Sequence, residues 1–442
     1  MKRIPFFLVF IITVCCTSVL NAQANSYNIP EQLSQLIKKA FDNYPKLKQG
    51  NELINASVLQ HDLARAAYMP SIDADASYRY QQPTPSISFP LSPNNTLSFQ
   101  FFPANNYDFH IAASLPIWDF GRTQADVKRT LAQIQLSKDN LEQGKHALAY
   151  QVAELYVAII FYNKSIAVQQ EQIKLLQENE KIIGDRLKDG DALKFDLLST
   201  QVRRNASENQ LIDLQNIVKK DYQYLDMLTG EQGEGYITRS DITFNTEGHD
   251  DVTADKSYDI ILLNDQLMQS EVDIKAEKSK WLPRLSARAQ IGYQDGYIGE
   301  ENGKFLSINQ LLLTGSVGVG LSIPIYGSDR PNYRVKIAKI NLQAAKYNIE
   351  ATKINLDKDI LQSKSDLEAT KAKLKNYQSQ IDQAKEALDL ANIRYKAGVI
   401  TNLELLTAQT DLQNAQLGQI QLQFQVLQST LTLNQIGGTK FW

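Results

Sequence analysis

The chain has 442 residues, 46 Lys and Arg against 49 Asp and Glu, and a formal net charge of −3. That balance gives no sign of a nucleic-acid partner, which would need a basic stripe. Cys15 and Cys16 are its two cysteines, so past residue 16 there is neither a disulfide framework nor a thiolate site.

The first residues, MKRIPFFLVFIITVCCTSVLNA, place Lys2 and Arg3 before an apolar run and end on small residues at Ala22. This pattern predicts a secretory signal peptide over residues 1–22. Val14 before Cys15 is not the small residue that a lipoprotein signal wants. Beyond the leader no apolar run approaches the roughly 20 residues of a membrane helix, so any crossing must use strands.

A helix is predicted next, closing on AAYMPSIDADASY after Ala66. Residues Ser71 to Tyr80 alternate strictly, with Ile72, Ala74, Ala76, Tyr78 and Tyr80 on one face and Asp73, Asp75, Ser77 and Arg79 on the other. From Gln81 to Asn106, Pro83, Pro85, Pro90 and Pro93 predict a loop. A second strand puts Tyr107, Phe109, Ile111, Ala113 and Leu115 opposite Asp108, His110, Ala112 and Ser114. Proline is then absent until Pro283, which permits a long helix from about Gln124 to Leu187. Val152, Ile159, Ile166, Ile173 and Leu187 follow a seven-residue period, broken once by Glu180. Such a period makes helices supercoil against neighbours.

At Arg186 the chain reads RLKDGDALKFDLLSTQ, and 208 residues later, at Arg394, RYKAGVITNLELLTAQ. The same offset aligns Pro116 with Pro324, Arg122 with Arg330 and Gly230 with Gly438. Upstream, SKWLPRLSARAQIGY matches the first helix-to-strand junction, and two further alternating strands follow, Arg284 to Tyr293 and Leu313 to Ile323. The heptad stripe returns at Ile360, Leu367, Leu374, Ile381, Leu388 and Tyr395. The fold class is therefore mainly α with a β-barrel sector, built as two tandem repeats of a strand pair and a long coiled-coil hairpin. The expected divisions are the signal peptide (1–22), a first repeat (23–230), a linking loop (231–251) with a short strand at Tyr236 to Thr238, and a second repeat (252–442). The closing Phe441-Trp442 is given no role.

Four alternating segments near ten residues long with aromatic ends (Tyr78, Tyr107, Trp118, Tyr293, Tyr326) fit a transmembrane β-barrel. A soluble half-buried sheet alternates in the same way, but export and the aromatic ends favour the barrel. Four strands cannot close one, so the chain must oligomerise, and strand counting allows a dimer or a trimer. No metal-ligand spacing links His61, His110, His146 and His249. No GxxxxGK[ST] or GxSxG motif appears, so neither a metal, a cofactor nor an enzymatic activity is expected.

The whole chain past the leader resembles the TolC-type outer-membrane factors. The junctions quoted above, the strand exits SLPIWDFGR and SIPIYGSDR and the doubled tip sequence carry the likeness. It implies a homotrimer forming one outer-membrane barrel and one periplasmic α-helical tunnel. It further implies a passive exit duct for small toxic molecules, served by a periplasmic adaptor and an inner-membrane pump, proton-driven or alternatively ATP-driven. A type I protein-secretion channel is the near alternative, and a periplasmic structural coiled coil the distant one. By position, the resemblance makes Gly190 and Gly398, with Arg186, Arg394, Asp191 and Val399, the adaptor-docking tip. It makes Asp196, Glu404 and Tyr395 a pore constriction. Ile400 stands where some members carry an arginine, so that gate salt bridge is not reproduced. Beside these roles, Asp196 and Glu404 also fit carboxylates that favour helix N-termini, and Arg186 and Arg394 fit cations that favour C-termini.

Overall fold

The computed structural model describes residues 30–93, 95–100, 103–232, 235, 237, 252–296, 300–301, 304–305, 309–325 and 331–442. The predicted leader, Tyr326, and the predicted strand at Tyr236 to Thr238 apart from Ile237 lie outside them.

The predicted first helix is two. α1 (Glu31–Asn43) and α2 (Pro45–Ala66) meet at Tyr44, which is extended at φ −68° and ψ 116°. Pro45 explains the break, because its ring pushes the preceding residue out of the helical region while itself suiting the first helical position. On α1, Leu33, Leu36, Ile37 and Ala40 recur with helical spacing and are all buried.

β1 (Ser71–Tyr80), β4 (Asn105–Trp118), β5 (Arg284–Gln294) and β8 (Leu312–Ser322) form one antiparallel sheet in the order β1-β4-β5-β8. Its register keeps the apolar faces together: Ile72 opposes Ala113, Ile111 opposes Ile291, and Ala289 opposes Val317. The opposite face joins Asp75 to His110 and Ser114 to Arg288. Because side chains alternate along each strand, a slip of one residue would scramble both faces. Gly292 permits the β4–β5 approach, since a Cβ there would lie 2.1 Å from the Phe109 carbonyl oxygen. The predicted Gln81 to Asn106 loop contains a hairpin, β2 (Ser86–Ser92) with β3 (Asn95–Gln100), whose pairing is disturbed after Pro90. A smaller pair, β6 (Glu300–Glu301) and β7 (Lys304–Phe305), sits between β5 and β8.

α3 (Arg122–Asp189) runs for 68 residues, which is about 100 Å at 1.5 Å per residue. It reverses into α4 (Lys194–Thr229). In the second half α5 (Tyr258–Ser279) precedes β5, and α6 (Pro331–Lys396) reverses into α7 (Asn402–Ile436). The heptad residues Ile360, Leu367, Leu388 and Tyr395 are buried, with Leu374 and Ile381 half-buried. Tyr377 crosses to Gly418 of α7, where a Cβ would meet its ring at 2.3 Å. Glu180, which breaks the first stripe, pairs with Arg204 at 2.9 Å and accepts from Gln201.

The two long helices are covered unequally. α3 packs against α1, α2, α4, α5 and α7, whereas α6 packs against α5, α7 and the short turn at Ala254–Lys256. Tyr333, Ile337, Ile340, Tyr347, Ile354 and Leu361 consequently stand exposed along α6.

The main core surrounds the middle of α3, where Tyr150, Val152, Tyr156 and Ile159 meet α1, the end of α4 and Leu431. Phe441 and Trp442 are part of it, against the reading that gave them no role. Phe441 is buried edge-on to Tyr150 at 4.8 Å, and Trp442 stands edge-on to Phe41 at 5.8 Å and to His146 at 5.6 Å. The Tyr150 hydroxyl donates to the Thr439 carbonyl at 3.0 Å, and Lys440 pairs with Glu142 at 2.7 Å.

His146 lies between Tyr150 and Tyr258, each 4.7 Å away, with Nε2 buried and unpartnered among the described residues. Burial lowers its pKa to about 4, against the opposing pull of the Thr439 carbonyl. The unfolded chain therefore takes up a proton near pH 6.5 that the folded chain refuses until about pH 4. Stability must fall as pH drops through that window. His146→Phe is expected to flatten the pH dependence of the helical melting temperature between pH 6.5 and 4. An unchanged slope would assign the acid sensitivity elsewhere.

Candidate tip and barrel sites

The doubled sentence folds into two matching turns. Gly190 closes α3 at φ +82° and Gly398 closes α6 at φ +74°, in the left-handed region that glycine enters without a Cβ penalty. The Gly190 N–H donates to the Leu187 carbonyl and the Asp191 N–H to the Arg186 carbonyl. Likewise the Gly398 N–H donates to Tyr395 and the Val399 N–H to Arg394. These paired bonds are the Schellman arrangement that satisfies the last carbonyls of a helix. Gly190, Asp191, Gly398 and Val399 are all exposed.

The two turns pack on one another. Ile183, Leu388, Tyr395 and Leu405 form a buried cluster, with Leu197 and Ile400 against it. Ile400, where the missing gate arginine would stand, is thus a packing residue. Arg186 turns from the end of α3 onto the end of α6, donating from Nη2 to the carbonyls of Tyr395 (3.3 Å) and Lys396 (3.0 Å). Its guanidinium stands 5.0 Å from the Tyr395 ring centroid. Burial raises the Tyr395 hydroxyl pKa, Arg186 opposes the rise and Asp196 adds to it. Arg394, its counterpart, is exposed, and no hydrogen bond or ion pair joins its side chain to a described residue of the same chain.

The candidate constriction carboxylates differ. Glu404 is held in a capping box: its Oε2 accepts from the Thr401 N–H at 2.7 Å and the Thr401 hydroxyl at 2.8 Å, and Thr401 Oγ1 accepts from the Glu404 N–H. The bond from the Thr401 backbone lowers its pKa. Asp196 has the corresponding place in α4, but Leu193 precedes the helix there and has no side chain to cap it. Asp196 is half-buried beside Tyr395, and its carbonyl accepts from Thr200 Oγ1 at 2.9 Å. Sequence reasoning missed a polar knot behind it. Asn402 Nδ2 donates to Thr200 Oγ1 at 3.1 Å, and Asn179 Nδ2 to Asn402 Oδ1 at 2.9 Å, all three residues being buried. The T-x-x-E signature at Thr401 is legible in the sequence, whereas the asparagine knot leaves no periodic signal.

At the other end, most of the sheet's apolar face is exposed, including Ile72, Ile111, Ile291, Val317 and Val319. Tyr78 and Tyr107 sit side by side at 5.2 Å, with Tyr293 paired to the neighbouring Phe109. Trp118, 6.1 Å from Phe120, marks the opposite end of β4. At about 3.3 Å per residue these ends lie roughly 36 Å apart along the strand, or about 26 Å along an axis tilted by 45°. On the polar face His110 contacts Asp108 at 2.9 Å and Asp75 at 3.7 Å. β1 and β8 each keep one edge unpaired among the described strands.

The family model described as outer membrane efflux protein matches residues 36–231 and 262–439. The chain is 21% identical to alkaline protease secretion protein AprF of Pseudomonas aeruginosa, over 85% of this chain and 79% of that one. It is 22% identical to outer membrane efflux protein BepC of Brucella suis, over 94% and 86% respectively. The solved structure of CusC superposes with a TM-score of 0.77 at 16% identity, covering 94% of each chain.

Proposed function

The chain belongs to the outer membrane efflux protein family, and on that premise we propose that it is the outer-membrane exit duct of a tripartite efflux system, acting as a TolC-type homotrimer. One observation carries this reading: the four-stranded sheet ends on two edges that no described strand pairs, while α6 packs against fewer elements than α3 does. Unpaired edges in hydrocarbon leave backbone groups with nothing to bond, so the sheet must be closed by further copies. With four strands per chain, three copies make a barrel of twelve, and the even count keeps β8 antiparallel to the neighbouring β1.

Residues 1–22 serve as the export signal, and the repeats at 23–230 and 252–442 each supply one strand pair and one hairpin. Tyr78, Tyr107, Tyr293 and Trp118 mark the two membrane interfaces, because the roughly 26 Å between the ends of β4 matches the apolar band of such barrels, and Tyr326 joins them on the sequence pattern alone. The apolar face of the sheet meets lipid, and the face with Asp75, His110 and Arg288 lines the lumen. That exposed face also argues against a purely periplasmic coiled coil. The duct is passive and catalyses no reaction. An inner-membrane pump supplies the energy through a periplasmic adaptor, which docks at Gly190, Asp191, Gly398 and Val399 with Arg186 and Arg394 beside them.

The name of one relative, a protease secretion protein, favours a second reading, the outer channel of a type I secretion system. Photo-crosslinking residues at Asp191 and Val399 in living cells test docking and separate the two. Capture of an adaptor encoded with a proton-driven pump is expected. An adaptor of an ATP-driven exporter would favour secretion, and no adaptor at either position would remove the docking role.

Asp196, Tyr395 and Glu404 narrow the tip, with Asp196 the carboxylate that no capping box engages. In planar bilayers Asp196→Ala is expected to reduce cation preference more than Glu404→Ala does. Equal or absent effects would leave both carboxylates as helix-start residues.

A further inference from the structure

The repeat supplies a test for every contact that joins the two halves of the chain near the tip. A contact from the first copy to the second can recur from the second copy to the first copy of a neighbour, provided the residues needed are present at the 208-residue offset. The polar knot fails this test. Asn402, Thr200 and Asn179 correspond to Lys194, Ala408 and Ala387, which cannot rebuild it.

The arginine contact passes. Arg186 corresponds to Arg394, and its acceptors, the carbonyls of Tyr395 and Lys396, correspond to those of Leu187 and Lys188. Backbone carbonyls are present whatever the side chain. The two turns share their glycine conformation and their paired bonds, so they present those carbonyls alike. Leu187 O accepts from the Gly190 N–H, as Tyr395 O accepts from the Gly398 N–H while also receiving Arg186. Arg394 meanwhile is exposed, and so are Ile393, Val399 and Leu403 around the same turn in sequence. Leu193, Phe195 and Leu198 are exposed at the other turn. A guanidinium at the carbonyl end of a helix is favoured by the helix dipole.

We propose that Arg394 staples one copy of the chain to the next, its guanidinium donating to the backbone carbonyls of Leu187 and Lys188 at the end of α3 in the neighbouring copy. The inference rests on the trimeric duct and adds to it the residue that joins the tips. Two kinds of junction then alternate around the tip. Within a chain, Arg186, the Tyr395 ring and the asparagine knot act together. Between chains, Leu187 replaces the ring, the knot is missing, and Arg394 acts without either.

The chain past residue 16 has no cysteine, so introduced thiols report without background. Arg394→Cys with Lys188→Cys, treated with a short bis-maleimide, is expected to give a ladder of linked dimers and trimers on denaturing gels. Arg186→Cys with Lys396→Cys should link within one chain and run as a monomer. Linkage in the second pair without a ladder in the first, from protein whose native mass is that of a trimer, would overturn the staple. A monomeric native mass would instead overturn the duct on which it rests. Proximity is separated from bonding by Arg394→Ala, expected to lower by a few degrees the temperature at which trimers dissociate in SDS, with Arg394→Lys falling less. Arg186→Ala should leave that temperature nearly unchanged. An unaltered dissociation temperature in Arg394→Ala would also overturn the proposal.

Discussion

A backbone N–H or C=O inside a bilayer has no water to bond, and the architecture follows from that constraint. β1 and β8 each offer an edge of such groups, and the apolar face between them is fit for lipid and for little else. The chain cannot satisfy those edges alone, so barrel closure and oligomerisation are one requirement. The same requirement extends down the helices. α6 leaves a row of apolar residues uncovered, while α3, its counterpart, is wrapped on several sides.

The duplication converts this shortage into a solution. Each copy carries a strand pair and a hairpin, and the contacts between the copies are the pattern from which the proposed contact with a neighbouring chain is drawn. At the tip the two reversals are nearly the same object, each ending in a glycine at positive φ. Their surroundings have diverged: Thr401 and Glu404 cap α7, whereas Leu193 leaves α4 without a capping side chain. If Arg394 joins neighbouring copies as proposed, this divergence makes the junctions within and between chains unequal, which a perfectly repeated sequence would not do.

Much of this was legible before the structure. β1 follows its alternation residue for residue, since each apolar side chain lies on the face that the register keeps together. The long helices follow from the absence of proline, and Pro45 marks the break between α1 and α2. The hairpin β2–β3 was hidden because its alternation is short and Pro90 interrupts it. The Glu404 capping box is visible as T-x-x-E, although position and charge alone point its carboxylate to the pore or the helix dipole. The Arg186 acceptors were not legible at all, because a main-chain carbonyl leaves no mark on a sequence. Phe441 and Trp442 gained their role only from the cage around His146, whose members come from distant segments.

The central claim is that one chain supplies a third of a closed barrel. The native mass of the protein in detergent, extracted from membranes without crosslinking, tests it most directly. The account predicts a mass of three chains with no folded monomer. A folded monomer with an intact sheet would contradict it, because the open edges of β1 and β8 would then need no partner.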